Sequence, residues 1–271
     1  MASLITPKTY MVGATVPNVE QIKQYLQQTE QTEFMATWND AISSGIDPAE
    51  ALVSMFAKLC YSSLVPGRNE NITSTRSIHA NVIATMESGH GSVFEHVSLN
   101  FVTSGCSRVF THELVRHRVG TAFSQTSGRY VKTDSIKFVM DPLLSPAKDD
   151  IIDLLEMIEM RREWIANKIG YDKTLDFATK KKMTSALRRV LPEGLANEIA
   201  WSINIRSLRH LIMLRTSRHA EWEIRAVFCE VFNLVRHKYA LLFNDARTED
   251  TGDGLFEVTG MTLQPYQGGG R

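Results

Sequence analysis

The stretch from Arg116 to Tyr130 concentrates residue types that bind anions and planar polar rings. It opens with an Arg-His-Arg triplet, continues with small and hydroxyl-bearing residues, and closes with an Arg-Tyr pair. Guanidinium groups donate paired hydrogen bonds to phosphates and carbonyl edges, and small residues let backbone N–H groups approach an anion closely. The pattern therefore indicates a nucleotide-binding site. A basic helix end capped by Gly120 and followed by a loop explains the same residues without a ligand.

Three other polar blocks accompany this stretch. Residues 90–96 read His-Gly-Ser-Val-Phe-Glu-His, residues 188–192 read Arg-Arg-Val-Leu-Pro, and residues 204–225 run from Asn-Ile-Arg to His-Ala-Glu-Trp-Glu-Ile-Arg. In chain order, the four blocks resemble the motifs of the flavin-dependent thymidylate synthase family. Those motifs are His-x-Ser/Thr-x-x-Glu-His, Arg-His-Arg with a later Ser-x-Arg-Tyr, Arg-x-x-Leu-Pro, and Asn-x-Arg with a later His-Ala-x-Trp-Glu. Ordered blocks between about residues 50 and 225 are far more specific than any single one.

The resemblance implies an activity and an assembly. A member of this family methylates dUMP at carbon 5 to give dTMP, with methylenetetrahydrofolate as the carbon donor. FAD reduced by NADPH carries the hydride, so no cysteine nucleophile is required. The resemblance also implies an α+β fold, with helices packed around an antiparallel sheet, and a homotetramer with active sites between subunits. Trp201, Trp222 and Tyr130 suit such an interface.

Each matching position receives a role from the resemblance. Arg215 is the expected catalytic group, because the matching arginine hydrogen-bonds the uracil ring and makes carbon 5 nucleophilic. Arg188 is expected to hold the phosphate. The complete set of expected substrate-binding residues is Glu113, Arg116, Gln125, Thr126, Ser127, Gly128, Arg129 and Arg188. The expected flavin-binding residues are His90, Ser92, Glu95, Arg118, Asn204, Arg206, His210 and His219.

The residues alone permit ligand-free explanations for several of these positions. Arg215 and His219 share an apolar helical stripe, where a buried arginine needs a partner, and an internal ion pair with Glu221 or Glu223 satisfies that need as well as a ligand does. Arg188 is equally consistent with a cation that stabilises a helix C-terminus, and His90 with a polar residue at a helix end. Ser127 has no apparent histidine-carboxylate relay beside it, which favours a binding role over a nucleophilic one.

Two departures from the family pattern bear on the substrate. The spacer between the Arg-His-Arg triplet and Ser127 is one residue longer than usual, and a turn containing Gly120 can absorb the extra residue. Glu113 stands where the family commonly has glutamine. A carboxylate there either repels a phosphate or orients Arg116 or His117. These departures motivate UMP or a modified pyrimidine nucleotide as an alternative substrate.

Composition limits the remaining function classes. The formal net charge is zero, which argues against general nucleic-acid binding because such binding depends on a broad positive field. Two alternatives from other function classes stay open. One is an RNA-binding protein that uses residues 116–129 and the three lysines at 180–182, and the other is a non-catalytic scaffold paralogue. No sustained apolar run indicates a membrane span or a signal segment, so a cytoplasmic location without membrane or nucleic-acid partners is expected. The three cysteines are expected to be buried and inert, and no histidine spacing indicates a metal site.

The elements that must position these residues are mainly helical. Asp47, Pro48 and Glu50 form a strong helix start, with an apolar helix over residues 51–60. The predicted helices that follow cover about residues 77–88, 148–169, 175–190 and 207–243, the last with a break near 218. Alternating apolar residues predict strands over 97–103 and 199–205, and a second strand pair from 130–132 and 136–140. No linker divides the chain, which predicts a single domain over residues 1–271.

Overall fold

A computed structural model describes residues 2–72, 74–129, 135–172 and 174–262. The helices are α1 (Val19–Gln28), α2 (Phe34–Ser43), α3 (Pro48–Cys60), α4 (Ile78–Glu87), α5 (Arg108–Leu114), α6 (Lys148–Lys168), α7 (Phe177–Leu187), α8 (Ile205–Thr216) and α9 (Trp222–Lys238). The strands are β1 (Ser3–Leu4), β2 (Lys8–Ala14), β3 (Ser98–Ser107), β4 (Thr121–Gln125), β5 (Lys137–Phe138), β6 (Ala196–Asn204), β7 (Arg247–Asp250) and β8 (Phe256–Thr259). Short 3-10 turns cover Gly91–His96, Pro142–Ala147 and Arg188–Val190.

The centre of the fold is a four-stranded antiparallel sheet in the order β2-β3-β6-β4. Its buried face comes from alternation, since Leu99 and Phe101 of β3 and Ile199 and Ile203 of β6 point into the core. Trp201 lies on the same face and stacks on Phe101 with ring centroids 4.5 Å apart. The expected α+β class, with helices around an antiparallel sheet, is confirmed.

The helices that carry candidate residues begin at clear N-terminal caps. Asp47 and Glu50 form the predicted capping box at the start of α3. The Asn204 side chain accepts the backbone N–H of Ser207 and starts α8, which places Arg206 in its first turn. The Glu221 side chain accepts two backbone N–H groups at the start of α9. Helices α8 and α9 pack against each other.

Several predicted elements are confirmed and others need correction. The helices predicted over 51–60, 77–88 and 148–169, the strand over 97–103 and the break near residue 218 are all observed. The long late helix is wrong in its bounds, because α8 starts at Ile205 and α9 ends at Lys238. Residues 121–125 form β4, although their small and hydroxyl-bearing side chains had indicated a turn. Lys137–Phe138 pairs in parallel with Ser3–Leu4, while the predicted partner at 130–132 lies outside the described residues.

Three side-chain predictions are also corrected. Trp201 is 2% exposed and belongs to the core, which contradicts its expected place at a subunit interface. Cys60 is exposed at the end of α3, whereas Cys106 and Cys229 are buried as expected. His219 is exposed and follows the end of α8, so it does not share a helical stripe with Arg215.

Among the described residues, no helix combines the length and apolar character that crossing a bilayer requires.

Candidate functional site

Arg215 lies in the last turn of α8 and is held by two groups from the α5 region. Its Nη1 donates to Glu113 Oε2 at 2.9 Å, and its Nε donates to His117 Nε2 at 2.9 Å. The Arg215 and Glu113 side chains are 18% and 28% exposed. The ion pair that the sequence left open as an alternative to a ligand therefore exists, but its carboxylate belongs to Glu113 and not to Glu221 or Glu223. Glu113 orients Arg215 directly, whereas the sequence had suggested Arg116 or His117 as its partner.

The electrostatics of this cluster favour a neutral imidazole and raise the pKa values of two carboxyl groups at the start of α9. Burial and the nearby Arg215 cation lower the pKa of His117 from 6.5 to about 4. Burial raises the pKa of Glu223 to about 7, and the Glu113 charge adds to that rise. Burial raises the pKa of Glu221 as well, again with a contribution from Glu113. His117 therefore accepts through Nε2, which assigns its proton to Nδ1.

A second group of candidate residues forms around the 3-10 turn at Gly91–His96. Arg206 Nη1 and Glu95 Oε1 form an ion pair at 2.6 Å. Gly91 is buried beneath this arginine, since a Cβ at that position would lie 2.7 Å from Arg206 Nε. Among the described residues, the buried Arg206 Nε has no hydrogen-bond partner. A buried donor of this kind calls for an acceptor, which a ligand phosphate or carbonyl provides.

Asn204 and the turn before β4 adjoin this second group. Gly120 has a φ of 66° and accepts the Asn204 backbone N–H at 3.0 Å. A Cβ on Gly120 would lie only 2.1 Å from Asn204 Nδ2, so only glycine fits between the turn and the start of α8. Arg118, two residues earlier, is exposed and lies 5.7 Å from the Phe123 ring centroid. The turn that follows the Arg-His-Arg triplet is thus tied directly to the Asn-x-Arg block.

The remaining candidates for flavin binding lie at the surface. His90 is exposed and stacks on Tyr61, with ring centroids 5.4 Å apart and a 2.9 Å contact between Tyr61 Oη and His90 Nε2. Ser92 is exposed on the same 3-10 turn. His210 is half-buried on α8 and contributes to lowering the pKa of His117. Tyr61 was missed by sequence reasoning, because it follows α3 and belongs to none of the four motif blocks.

The candidates for phosphate binding come together at a cavity of about 1080 Å³. Thr126, Gly128 and Arg188 line it. Arg188 is exposed at the junction of α7 with the 3-10 turn that follows. Its side chain lies against Gly128, where an added Cβ would be 3.7 Å from Arg188 Cδ. A cationic group beside a glycine backbone is an arrangement that suits an anion.

Ser127 and Gln125, next to the cavity-lining residues in the chain, already have hydrogen-bond partners within the protein. Ser127 Oγ accepts the Arg129 backbone N–H at 3.3 Å, and Arg129 itself is exposed. Gln125 donates to Thr111 Oγ1 at 3.1 Å, so its amide is already engaged with α5. The cavity also has cations that no motif indicated, Arg108, Lys137 and Arg162, and it is lined as well by Glu156, Glu159, Glu163, Glu193 and Glu198. No pattern in the sequence brings these positions near Arg188.

The candidate residues thus fall into separate groups within one chain. Arg215, Glu113 and His117 form one, and the residues around Arg206 form a second. The cavity at Arg188 forms a third, and neither Arg215 nor Arg206 is among the residues that line it. Across residues 2–72, 74–129, 135–172 and 174–262, no three His, Cys, Asp or Glu side chains gather as a metal site would need.

Comparisons with known proteins agree with the motif blocks. The family described as "Thymidylate synthase complementing protein" matches residues 43–239. A flavin-dependent thymidylate synthase from Corynebacterium glutamicum is 31% identical over 256 residues, which cover 91% of this chain and 98% of that protein. A flavin-dependent thymidylate synthase from Mycobacterium avium is 30% identical over 246 residues, which cover 86% of this chain and 94% of the relative.

A solved structure supports the fold. The UMP/dUMP methylase PolB from Streptomyces cacaoi, bound with 5-Br dUMP, superposes with a TM-score of 0.60. The alignment covers 89% of this chain and 95% of that one, at 15% sequence identity. At this identity the likeness concerns the fold, and the arrangement of helices around the antiparallel sheet is common to both proteins.

Proposed function

Because this chain belongs to the thymidylate synthase complementing protein family, in which its relatives are flavin-dependent thymidylate synthases, we propose that it converts dUMP to dTMP. Methylenetetrahydrofolate supplies the one-carbon unit, and FAD reduced by NADPH supplies the hydride. The observation that carries the proposal is the fixed, partly buried guanidinium of Arg215, held by Glu113 and His117. The names of the relatives favour this enzyme over the RNA-binding and scaffold alternatives.

Arg215 suits the activation of a uracil ring. Its two bonds from Nε and Nη1 fix the plane of the guanidinium without closing it to solvent. A preorganised cation next to a ring carbonyl stabilises the negative charge that develops when carbon 5 becomes nucleophilic. The part-buried setting strengthens that interaction, because fewer water dipoles compete for the charge.

The nucleotide phosphate belongs at the cavity in this proposal. Arg188 supplies a charge-assisted donor, and Gly128 offers little bulk beside it. Thr126 lines the same cavity, although its backbone N–H already donates to the Glu198 carbonyl oxygen at 2.9 Å. Ser127 and Arg129 lie on the same turn, where Ser127 holds the backbone and Arg129 extends into solvent. Arg116 is exposed and directly precedes His117 of the Arg215 cluster in the chain, which suits a second contact to the nucleotide.

The residues around Arg206 fit a flavin nucleotide. Its buried Nε needs an acceptor, and its neighbour Gly91 leaves no side chain in the way. Asn204 and the turn that contains Arg118 lie next to each other at Gly120, and the His90 ring stacks on Tyr61 nearby in the chain. When bound, the flavin supplies hydride transfer, while these side chains hold and orient it.

The cysteines give no support to a thiol nucleophile. Burial raises the pKa of Cys106 to about 12, and burial also raises the pKa of Cys229. A protonated, buried thiol is a poor nucleophile. Cys60 is exposed at the end of α3, outside the three groups of candidate residues.

A homotetramer with active sites between subunits is part of the proposal. Its support is the separation of the Arg188, Arg206 and Arg215 groups within one chain, which a second copy of the chain can bring together. We also propose the cytoplasmic location that the sequence suggests. Arg188→Ala and Arg215→Ala proteins are mixed under conditions that exchange subunits, at a dUMP concentration too low to saturate Arg188→Ala. The mixture is expected to be more active than the sum of the two separate proteins.

The absorption spectrum of the purified protein tests the proposed cofactor. We expect a yellow protein, or one that takes up FAD in a titration that dUMP tightens. Methylation of UMP, measured alongside dUMP, tests the alternative substrate. A preparation that stays colourless when incubated with FAD and dUMP, and that binds RNA with a steep salt dependence, contradicts the proposal.

A further inference from the structure

Helix α6 has an outer side that carries large apolar residues. Its inner side packs through Leu155 and Ala166, which are buried. On the opposite side, Leu154 and Met157 are 50% exposed and Trp164 is 53% exposed. A helix at the surface of a globular protein normally presents polar residues outward. Large apolar side chains grouped on the outer side therefore indicate a contact with another molecule.

These apolar residues belong to a stripe with regular spacing. The outer stripe of α6 consists of Asp150, Leu154, Met157, Arg161, Trp164 and Lys168. All six are exposed, and successive members are separated alternately by four and three positions. This spacing keeps side chains on one face and is the pattern with which two helices pack side by side. The Lys168 ammonium lies 4.6 Å from the centre of the Trp164 ring, so these two side chains share that face.

The outer stripe is separate from the cavity at Arg188. Glu156 and Glu163 of α6 line that cavity, and no member of the outer stripe does. Each of these glutamates directly precedes a stripe residue, and successive helical residues point about 100° apart. A partner on the outer stripe is therefore a different molecule from the ligand of the cavity.

The charges at the two ends of the stripe select the partner and its direction. Asp150 is near the N-terminus of α6 and Lys168 is its last residue, with the apolar residues between them. A second α6 running parallel places like charges together at both ends. A second α6 running antiparallel places Asp150 against Lys168 at both ends and also opposes the two helix dipoles. The stripe is thus complementary to a reversed copy of itself.

From this arrangement we propose that the outer stripe of α6 is a contact between two copies of this chain, with the two helices antiparallel about a twofold axis. The facing pairs are Asp150 with Lys168, Leu154 with Trp164, and Met157 with Arg161. All three pairs are symmetric about one point near residue 159, as a contact between identical surfaces requires. The inference goes beyond the proposed function, which names no surface for the contact between copies.

A pair of introduced cysteines tests the direction of the contact. Leu154→Cys and Trp164→Cys are made singly and together in a Cys60→Ser background, which removes the exposed native thiol. In the antiparallel contact, position 154 of one copy faces position 164 of the other. All other pairs of these positions, within one chain or between copies, are at least about 15 Å apart, at 1.5 Å of rise per residue. With a bifunctional thiol reagent shorter than that, we expect covalent dimers from the double variant and from neither single variant.

An exchange of charges tests what pairs the ends of the helices. Asp150→Lys places like charges together, and we expect it to weaken the association between copies by roughly tenfold. Adding Lys168→Asp reverses both charges and is expected to restore the association. Asp149→Lys is a matched control, because Asp149 also lies in the first turn of α6 but outside the outer stripe. Arg161→Ala keeps the layer with Met157 apolar and is expected to leave the contact intact.

Sedimentation equilibrium at low salt measures the dissociation constant of the largest assembly, and circular dichroism checks that each variant is folded. A wild type that stays monomeric overturns the inference. So does a folded double-cysteine variant without covalent dimers, a covalent dimer from either single variant, or equal weakening in Asp149→Lys and Asp150→Lys. A wild type that makes dTMP, with no covalent dimer from the double variant, contradicts this inference alone. Covalent dimers together with a wild type that makes no dTMP contradict the proposed function alone.

Discussion

Arg215 Nε lies 2.9 Å from His117 Nε2, which joins the last turn of α8 to the turn that follows α5. The two residues come from different motif blocks and are 98 positions apart in the chain. Their contact converts two separate sequence patterns into one site. Burial and, next to it, the adjacent Arg215 cation keep His117 neutral by lowering its pKa.

Arg215→Lys is expected to reduce turnover far more than nucleotide binding. Lysine keeps the charge but loses the planar fork that Glu113 and His117 hold. Loss of one preorganised donor predicts a decrease in kcat of roughly a hundredfold or more. Ser127→Ala is the comparison, with a milder effect expected because Ser127 Oγ accepts the Arg129 backbone N–H and has no catalytic role in this proposal. Full turnover by Arg215→Lys together with an inactive, nucleotide-binding Ser127→Ala would reverse these roles.

His117 is expected to make the protein less stable as the pH falls. Its pKa of about 4 in the folded protein lies below the ordinary value of 6.5, so the unfolded chain binds the proton more readily. The stability that the neutral His117 imidazole contributes above pH 6.5 is therefore lost as the pH drops from about 6.5 towards 4. Glu221 and Glu223 have raised pKa values and act with the opposite sign, so the comparison must be between variants.

The measurement is thermal unfolding between pH 4 and 7 for the wild type and for His117→Gln. The difference between the two curves isolates the imidazole, since both proteins retain the α9 carboxyl groups. We expect the wild type to lose stability more steeply over this window. Parallel curves, or an NMR titration that gives His117 a pKa near 6.5, would contradict the neutral imidazole.

Arg188→Ala is expected to weaken nucleotide binding while leaving flavin in place. A lost charge-assisted contact is worth about 1.5–3 kcal/mol, which corresponds to roughly 10–150-fold in affinity. Arg161→Ala serves as the control, because Arg161 lies on α6 but does not line the cavity. Loss of flavin with unchanged dUMP affinity in Arg188→Ala would show that Arg188 serves the cofactor.

Gly120→Ala is expected to disturb the flavin-binding group through Asn204. Gly120 and Gly170 have φ angles of 66° and 76°, so alanine is strained at both positions. Only at Gly120 does the new Cβ collide with a neighbour, 2.1 Å from Asn204 Nδ2, whereas nothing lies within 4 Å of a Cβ on Gly170. FAD titration of both variants should show weakened binding in Gly120→Ala alone. Equal FAD affinity in the two variants would remove Asn204 from the cofactor site.

Local sequence patterns predicted the elements that depend on nearby residues. The capping box at Asp47 and Glu50 fixes the start of α3 through contacts three residues apart, so it could be recognised directly. Strand β4 was missed, because Thr121–Gln125 lacks strong alternation and gains its conformation by pairing with β6. Trp201 follows the alternation of its strand into the core, and the expectation of an interface had ignored that register.

The sequence proposed members of the candidate site but not the contacts between them. The motif blocks include Arg215 and lie next to Glu113, whose roles stay predictions, but their ion pair spans 102 positions, and no local pattern selects one carboxylate over another at such a separation. Carboxylates nearer in sequence, at 221 and 223, turned out to cap α9 and to accept from Ser107. The cavity cations Arg108 and Arg162 meet only through the tertiary fold.

The formation of dTMP by the purified protein tests the central claim most directly. The assay combines the protein with FAD, NADPH, methylenetetrahydrofolate and dUMP, and follows product by chromatography, with each component omitted in turn. We expect dTMP only when all four are present, and its rate should fall roughly a hundredfold in Arg215→Lys. A folded protein that binds both FAD and dUMP yet forms no dTMP in the complete mixture would contradict the account.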